Sequence, residues 1–264
     1  MTDDDAAPLR HRNRWQFGGG AIDLRRPALA ARPAPLRTEP APVVLDLSRT
    51  ALIVIDLQND FCTPGGALDI AGIDVTLLAG AVEHSARAVT AARAAGVPVV
   101  WLTWGNRPDR ANLPPGVAHV FDPEGTGHGI GFRIPGTDSR ILTSGSWGAD
   151  LAAPLTVEPG DIRVDKYRMS GFWDTPLDSV LRNLRVDTLL FAGINSDQCV
   201  YATLVDGACA GYDVVMLTDA SATTSPSYCH DAAVFNTRQC FGFTTTTPDL
   251  LDALAAAPAA DGDG

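Results

Sequence analysis

The sequence predicts an α/β fold in which helices cover both faces of a parallel β-sheet. From residue 50 onward, short β-branched runs alternate with longer amphipathic stretches, as in successive βα units. Strands covered on both faces read as continuous apolar runs, and residues 189–192 form such a run. A 45% hydrophobic share and a 19% charged share are sufficient for a sizeable core. We therefore expect one α/β domain with an attached arm.

The first part of the chain differs in composition from the rest. Residues 1–46 are rich in Pro, Arg and Ala and show little periodicity, which is typical of a weakly structured arm. Trp15 and Phe17 are the exceptions, and they pack either on the arm's own domain or on a neighbouring subunit. The predicted organisation is this arm, a folded domain over 47–258 and a flexible tail over 259–264.

Candidate strands and helices alternate along the folded domain. The predicted strands cover residues 51–56, 99–103, 162–166, 188–192, 213–218 and 241–245. The predicted helices cover residues 77–95, 176–184, 198–210, 228–238 and 248–256. The first helix ends at Gly96, a good C-terminal signal. Residues 105–146 are rich in Pro, Gly, Asp and Arg without clear periodicity, and such long segments are usually functional loops or lids.

Charge and composition exclude several classes of partner. A formal net charge of -11 repels a phosphate backbone, and no basic stripe offsets it locally. Residues 1–7 carry three aspartates and no apolar run, and later apolar runs are too short to span a bilayer. The five cysteines are odd in number and form no C-x-x-C pair. We therefore predict a cytoplasmic protein with reduced thiols, a small-molecule substrate, and no nucleic-acid or membrane partner.

Three side chains follow different predicted strands and could meet at one edge of the sheet. Asp56 and Lys166 each close a strand, and Cys199 lies just past a third strand at the expected start of a helix. Ligands of open parallel sheets bind outside the carboxyl ends of the strands. Taken singly, each residue also has an ordinary structural interpretation, as a turn cap, a solvated strand end and a small core residue.

Taken together, the three residues predict nucleophilic catalysis by a thiol. A free thiol with a pKa of about 8.5 is mostly protonated at neutral pH and needs activation. The Lys166 ammonium favours the thiolate, and a helix amino terminus adds a smaller effect of the same sign. Asp56 can accept the thiol proton and return it to a departing amine. Backbone amides of Asn195 and Cys199 are expected to stabilise the oxyanion.

Three separated segments resemble the isochorismatase-like cysteine hydrolases. They are Ala-Leu-Ile-Val-Ile-Asp-Leu-Gln-Asn-Asp-Phe at 51–61, Asp-Lys-Tyr at 165–167 and Gly-Ile-Asn-Ser-Asp-Gln-Cys-Val at 193–200. Their order and spacing match as well, and the similarity runs from about residue 48 to 258, so it does not cover the arm. The resemblance implies a three-layer α/β/α fold with a six-stranded parallel sheet, and a homo-oligomer, either dimer or tetramer.

The resemblance also implies roles for individual residues. It places a catalytic triad on Asp56, Lys166 and Cys199. It implies a non-proline cis peptide between Ile194 and Asn195, which would turn the Asn195 amide toward the oxyanion beside the amide of Cys199. These assignments agree with the chemistry expected of the three side chains.

Two differences from other branches of the family narrow the reaction. Isochorismatases that cleave a vinyl ether lack the cysteine, so Cys199 predicts attack on an acyl carbon–nitrogen bond. Nicotinamidase-like members carry a metal-binding cluster of aspartate and histidine after the second strand, whereas this chain has Trp-Gly-Asn-Arg-Pro-Asp at 104–109. The five histidines show no ligand spacing either. We therefore predict no metal and no cofactor.

A further stretch indicates the substrate class. Residues 170–182 are similar to the corresponding segment of ureidoacrylate amidohydrolases, and biuret and N-carbamoyl amino acid hydrolases share the type of loop at 106–109. These resemblances favour a ureido or carbamoyl group, R-NH-CO-NH2. Two alternatives stay open: a lactam- or amide-opening hydrolase of a larger natural product, similar to streptothricin hydrolase, and a catalytically silent binding protein that kept the fold.

Eight residues are predicted to bind the substrate: Asn59, Phe61, Trp104, Asn106, Arg107, Arg168, Phe172 and Trp173. The aromatic residues can wall an apolar pocket, and Arg107 or Arg168 can bind a carboxylate through two parallel hydrogen bonds. The alternatives are that Phe172 and Trp173 form core between a loop and a helix, and that the arginines form solvated ion pairs.

Overall fold

The fold is organised around one parallel β-sheet. The computed structural model describes residues 12–257, so residues 1–11 and the predicted tail over 259–264 lie outside the described part. The strands, in chain order, are β1 (Gln16–Gly18), β2 (Ala21–Asp23), β3 (Pro33–Leu36), β4 (Val43–Asp46), β5 (Thr50–Ile55), β6 (Val99–Trp104), β7 (Ile162–Lys166), β8 (Thr188–Gly193), β9 (Asp213–Ser221) and β10 (Phe243–Thr245). The main sheet has six strands in the order β10-β9-β8-β5-β6-β7, and all its neighbours are parallel.

Helices flank this sheet and complete a three-layer α/β/α fold, as the sequence predicts. They are α1 (Asn59–Cys62), α2 (Ala67–Ile70), α3 (Ala79–Ala94), α4 (Pro115–Phe121), α5 (Leu177–Asn183), α6 (Tyr201–Cys209), α7 (Ser227–Asn236) and α8 (Thr247–Ala256). The long helix α3 packs against α8 and along β9. No helix within residues 12–257 is long and apolar enough to cross a membrane.

The central strands are buried along their whole length. Every residue of β5 and of β6 is buried, and β8 is buried except at its first residue. Strands covered by helices on both faces need apolar side chains at every position, which is why these strands lack the alternation of a half-exposed sheet. Each large aliphatic side chain contributes about 1.5 to 3 kcal/mol of hydrophobic stabilisation. These three buried strands therefore form a rigid support for the residues at their carboxyl ends.

Two elements begin at residues other than those predicted, because a π-helical turn lies at each position. The strand predicted at 241–245 begins only at Phe243, because Thr237–Phe241 forms a π-turn after α7. The Gly242 amide donates to the Thr237 carbonyl at 2.8 Å, which closes this turn. A side chain at Gly242 would lie 2.2 Å from the Val214 carbonyl oxygen, so only glycine fits there. The helix predicted at 198–210 likewise begins as a π-turn, Ser196–Val200, and continues as α6.

The second half of the arm forms a hairpin that packs on the domain. Strands β3 and β4 pair antiparallel, and Ala34 and Leu36 are buried while the two prolines of β3 are exposed. The hairpin lies against α8. Glu39 and Thr244 exchange two backbone hydrogen bonds of 2.9 Å, which attach the arm to β10. The composition of this segment predicts weak structure, but β3 forms because every second residue is apolar and buried.

The first half of the arm carries a smaller hairpin with exposed aromatic side chains. Strands β1 and β2 pair antiparallel, and the exposed fractions are 46% for Trp15 and 76% for Phe17. The Arg26 guanidinium lies 5.7 Å from the centre of the Trp15 ring. A lone two-stranded hairpin is marginally stable in water, so this arrangement leaves apolar surface uncovered.

Candidate active site

Asp56, Lys166 and Cys199 meet at the carboxyl edge of the sheet. Asp56 follows β5, Lys166 ends β7, and Cys199 lies in the π-turn that follows β8. The Lys166 Nζ atom lies 2.8 Å from Asp56 Oδ2 and 3.2 Å from Cys199 Sγ. All three residues are buried, with exposed fractions of 1%, 0% and 6% in the order Asp56, Lys166, Cys199. One ammonium thus bridges a carboxylate and a thiol.

The Lys166 side chain crosses β6 to reach its partners. It passes over Trp104, the last residue of β6, with Nζ 4.1 Å from the ring centre. Its ammonium also donates to the Arg168 carbonyl at 3.2 Å, so each of its three hydrogens can find a partner. The Trp104 indole donates to Asn106 Oδ1 at 2.5 Å, which fixes the plane of the ring. The aromatic face supports the positive charge of the fully buried ammonium.

Two backbone features bring the residues at the ends of β5 and β8 close together. Asp56 has φ of 53°, in the left-handed region that non-glycine residues seldom adopt, at a cost of about 1 to 3 kcal/mol. Its amide donates to the Leu102 carbonyl at 2.9 Å, which ties this turn to β6. Gly193, at the end of β8, has φ of 124°, and a side chain there would lie 2.1 Å from the Ile55 carbonyl oxygen. Glycine therefore lets β8 pass close to β5 just before the cysteine turn.

The turn that carries Cys199 starts at a cis peptide. The Ile194–Asn195 peptide bond is cis, as the resemblance implies. Val200 donates to the Asn195 carbonyl at 3.1 Å, the five-residue spacing of a π-turn, and such turns are frequent at functional sites. Within the described part of the chain, the Asn195 amide donates to no backbone carbonyl.

Burial dominates the protonation of the site. It raises the pKa of the Cys199 thiol to about 12, and the Lys166 ammonium opposes this rise without cancelling it. Burial also raises the pKa of Asp56, again against the opposing charge of Lys166. For Lys166, burial lowers the pKa, but the charges of Asp56 and Cys199 outweigh it and raise the pKa overall. The Lys166 ammonium thus favours the thiolate, as its charge predicts, but burial has the larger effect on the pKa of Cys199.

A cavity of about 260 Å³ opens beside the thiol. Asp56 and Cys199 lie at its base, and Asn195, Gln198 and Thr224 form a polar wall. Of the eight residues predicted to bind substrate, Phe61 and Trp104 line the cavity. Its other apolar lining residues are Leu68, Ile73, Val120, Phe121, Met169 and Ile194.

Both predicted asparagines lie outside this lining and hold neighbouring parts of the site. Asn59 is buried and donates to the Trp147 carbonyl at 2.9 Å, which ties α1 to the segment before β7. Asn106 is fully buried and accepts the indole hydrogen of Trp104. The structure therefore places these two residues behind the cavity wall, because their amides are used in buried hydrogen bonds.

The two predicted arginines also lie outside the lining, each held by a nearby carboxylate. Arg107 donates to both carboxylate oxygens of Asp109, at 2.9 and 2.7 Å. Arg168 lies 3.0 Å from Asp174 and stacks over the Tyr167 ring. Of the two interpretations open from the sequence, the geometry matches the ion pairs.

The two predicted aromatic residues that follow β7, Phe172 and Trp173, also lie outside the lining. Phe172 is half-buried, with its ring centre 5.8 Å from that of Tyr212, so it forms core between a loop and α6. Trp173 is 63% exposed and donates to Asp206 Oδ2 at 2.8 Å. Their neighbour in sequence, Met169, lines the cavity instead, with its sulfur 3.7 Å from Cys199 Sγ.

Some of the missed lining residues had a signal in the sequence. Gln198 is next to Cys199 in sequence, and Met169 lies three positions after Lys166. Val120 and Phe121 lie on α4, within the segment 105–146 that was predicted to be a loop or lid. Leu68 and Ile73 had no such signal, because only the fold of the chain after α1 brings them to the cavity.

Cysteine, acidic and histidine side chains also occur away from this site. Among residues 12–257, no group of three or more His, Cys, Asp or Glu side chains is arranged to hold a metal ion. Of the other cysteines, Cys209 and Cys240 are exposed, while Cys62 and Cys229 are partly buried. Their exposure matters for experiments that label thiols.

Known proteins resemble this chain in both sequence and structure. The family model described as Isochorismatase domain matches residues 50–249. Ureidoacrylate amidohydrolase RutB of Methylorubrum extorquens (strain DSM 6343 / CIP 106787 / DM4) is 40% identical over 222 residues, which cover 84% of this chain and 89% of that protein. RutB of Methylobacterium radiotolerans is 40% identical over 220 residues, covering 83% and 84%.

Solved structures show the same fold. A cysteine hydrolase from Pseudomonas syringae pv. phaseolicola 1448A superposes with a TM-score of 0.68 at 28% identity, covering 80% of this chain and 95% of that one. N-carbamoylsarcosine amidase from Thermoplasma acidophilum gives a TM-score of 0.57 at 25% identity, covering 75% and 96%. The family model and these relatives cover most of the chain, and the fold that the resemblance implies is confirmed. The chain belongs to the isochorismatase family of hydrolases.

Proposed function

We propose that the protein is an amidohydrolase that uses Cys199 as nucleophile and cleaves the carbon–nitrogen bond of a ureido or carbamoyl group. The chain is a hydrolase of carbon–nitrogen bonds other than peptide bonds, in keeping with its family and its relatives. The observation that carries the proposal is the contact of one buried ammonium with both Asp56 and Cys199. The names of a ureidoacrylate amidohydrolase and an N-carbamoylsarcosine amidase support the substrate class.

The reaction begins with a proton transfer inside the buried group. Because Cys199 has a raised pKa, the thiol keeps its proton until a substrate is in place. Asp56, whose pKa burial also raises, is a better base than a solvated carboxylate and takes this proton as sulfur attacks the acyl carbon. The Lys166 ammonium, 3.2 Å from the sulfur, stabilises the negative charge that forms there.

The attack produces a tetrahedral intermediate with a negatively charged oxygen. We assign its stabilisation to the backbone amides of Asn195 and Cys199, which belong to the same turn. The absence of a backbone acceptor for the Asn195 amide among residues 12–257 supports this role. No backbone hydrogen bond then has to be broken when this amide donates to the oxyanion.

Collapse of the intermediate breaks the carbon–nitrogen bond. Asp56 returns its proton to the departing nitrogen, which leaves as the amine R-NH2, and a thioester remains on Cys199. Water then adds to the thioester with Asp56 again as base, and sulfur leaves and regains a proton. With a substrate R-NH-CO-NH2, the second product is carbamic acid, which decomposes to ammonia and carbon dioxide.

The test is turnover of a panel of ureido acids, alkylureas, amides and lactams by wild-type protein and by Cys199→Ala. We expect ammonia release from at least one ureido compound, and its loss in Cys199→Ala. Cys209→Ala is the matched control, because that thiol is exposed and lies on the far end of α6. Activity in Cys199→Ala within about tenfold of wild type would refute the mechanism.

The two alternatives predict different outcomes of the same panel. A lactam hydrolase similar to streptothricin hydrolase opens its ring without releasing ammonia, so product analysis separates it from carbamoyl hydrolysis. A silent binding protein turns over no member of the panel. Either result would overturn the ureido and carbamoyl assignment.

A further inference from the structure

The cavity beside Cys199 has two walls of different chemistry. Asn195, Gln198 and Thr224 form the polar wall and are linked to one another. Asn195 Nδ2 donates to Gln198 Oε1 at 3.4 Å and to Thr224 Oγ1 at 3.3 Å. These groups offer amide and hydroxyl hydrogen bonds but no charge. They suit a polar neutral group, such as a carbamoyl group held at the thiol.

Most of the remaining lining is apolar and is called the apolar wall here. It includes the Trp104 and Phe121 rings, whose centres lie 5.2 Å apart, together with aliphatic side chains such as Leu68, Ile73 and Val120. Among the described residues, no lysine, arginine or histidine lines this cavity. The sole charged side chain in the lining is the Asp56 carboxylate, again counting residues 12–257 only.

Three cationic side chains that lie close in sequence to residues of the site already contact other groups. Lys166 is bound to Asp56 and Cys199 beneath the cavity. The guanidinium groups of Arg107 and Arg168 are paired with their own carboxylates, as described above. A substrate carboxylate in this cavity would therefore be removed from water without a cation to bind it, which is strongly unfavourable. The Asp56 carboxylate would add repulsion of like charges.

From this lining we infer that the substrate is a carbamoyl compound whose amine half is neutral and largely apolar, and that ureido acids bearing a carboxylate are disfavoured. The carbamoyl group lies along the polar wall, and the substituent on nitrogen lies along the apolar wall. This inference rests on the proposed function. It separates the chain from relatives named for ureidoacrylate and N-carbamoylsarcosine, whose names denote carboxylates.

The first experiment compares neutral and charged substrates of similar size. N-butylurea is paired with 3-ureidopropanoate, and N-phenylurea with 4-ureidobenzoate, and kcat/KM is measured for each from ammonia release by the full-length protein. We expect the neutral member of each pair to be preferred by at least about tenfold. Equal values, or a preference for the carboxylate, would overturn the inference and leave the proposed function standing.

A second measurement does not depend on turnover. Each compound is tested for protection of Cys199 against alkylation by iodoacetamide, followed by mass spectrometry of the Cys199 peptide. We expect the neutral member to protect at a concentration at least about tenfold lower. Absence of ammonia release together with this protection would contradict the proposed function, while the preference of the cavity for a neutral compound would stand. Protection by neither member, or better protection by the carboxylate, would overturn it.

A substitution at the cavity rim tests which wall binds the substituent. Val120 lines the cavity yet is 61% exposed, so a longer side chain there can keep its end in water without disturbing the core. Val120→Arg should shift the preference toward the carboxylate member by about tenfold or more. Val120→Met, the uncharged control, should keep the preference for the neutral member. An unchanged preference in Val120→Arg would show that the substituent does not lie along this wall.

Discussion

Lys166 reaches Asp56 across an intervening strand. Their contact is 2.8 Å, although β7 and β5 are separated in the sheet by β6. A shorter cationic side chain would not span this gap, and the Trp104 ring at the end of β6 supports the ammonium on the way. The geometry explains why a long, fully buried lysine occupies the end of an edge strand, where a solvated residue is the usual expectation.

Loss of the Lys166 charge should destabilise the fold. Removing one partner of a buried ion pair leaves the other uncompensated and costs about 3 to 5 kcal/mol. We expect Lys166→Met to lower the free energy of unfolding by about that amount, as measured by urea denaturation. The double variant Lys166→Met with Asp56→Asn should recover part of the loss, because neither charge is then buried alone. A single variant as stable as wild type would contradict the buried pair.

Replacing Asp56 by Asn should have opposite effects on two reactions of the same thiol. Hydrolysis should fall by about a hundredfold or more in kcat, because the proton acceptor is lost. Alkylation of Cys199 by iodoacetamide should become faster at fixed pH, because the Asp56 charge raises the pKa of the thiol. Unfolding would expose every buried thiol. Alkylation of Cys62, which is partly buried, is therefore the control and should not become faster. Normal kcat in Asp56→Asn would place the base elsewhere.

The pH dependence of alkylation should reflect the raised pKa of Cys199. The folded protein holds this thiol with a pKa of about 12, so the thiolate fraction is still rising at pH 10. We expect the alkylation rate of Cys199 to increase by about tenfold per pH unit from pH 8 to 10, without a plateau. The measurement is time-resolved mass spectrometry of the Cys199 peptide without substrate. A plateau below pH 9 would show that Lys166 outweighs burial.

Chelators should leave the activity unchanged. Within residues 12–257 no set of side chains is arranged as metal ligands, and the thiolate needs no Lewis acid to attack an acyl carbon. The measurement is ammonia release before and after dialysis against EDTA, with protein dialysed against buffer alone as the control. Loss of activity that zinc or manganese restores would contradict this prediction.

The exposed hairpin β1–β2 is proposed to cover a neighbouring subunit of a homo-oligomer. Deleting residues 1–28 removes this hairpin with Trp15 and Phe17, each of which could contribute about 1.5 to 3 kcal/mol on burial. We expect a smaller particle by light scattering or a lower melting temperature. Deleting residues 1–40 is the comparison, because it also removes β3, which packs on α8. Unchanged mass, melting temperature and kcat/KM in the shorter deletion would show that the hairpin has no partner.

Much of the fold could be predicted from local pattern. The runs at β5, β6 and β8 are apolar at every position, and that pattern arises only where helices cover both faces of a sheet. Because the carboxyl ends of parallel strands lie at one edge, the positions of Asp56 and Lys166 at strand ends were enough to predict that they meet. The turns were less predictable, since π-turns differ from α-helical turns by a single residue of spacing.

The layered α/β fold and the three residues that converge at its edge follow from periodicity and strand order, and both can be read from the chain. The side chains that line the cavity follow instead from how distant segments pack. Arg107 and Arg168 lie near the site in sequence, yet nearby carboxylates hold them away from it, while Leu68 and Val120 reach it from segments without a periodic signal. The protonation of Cys199 was decided in the same way, since burial is a property of the packed molecule and outweighs the charge of Lys166.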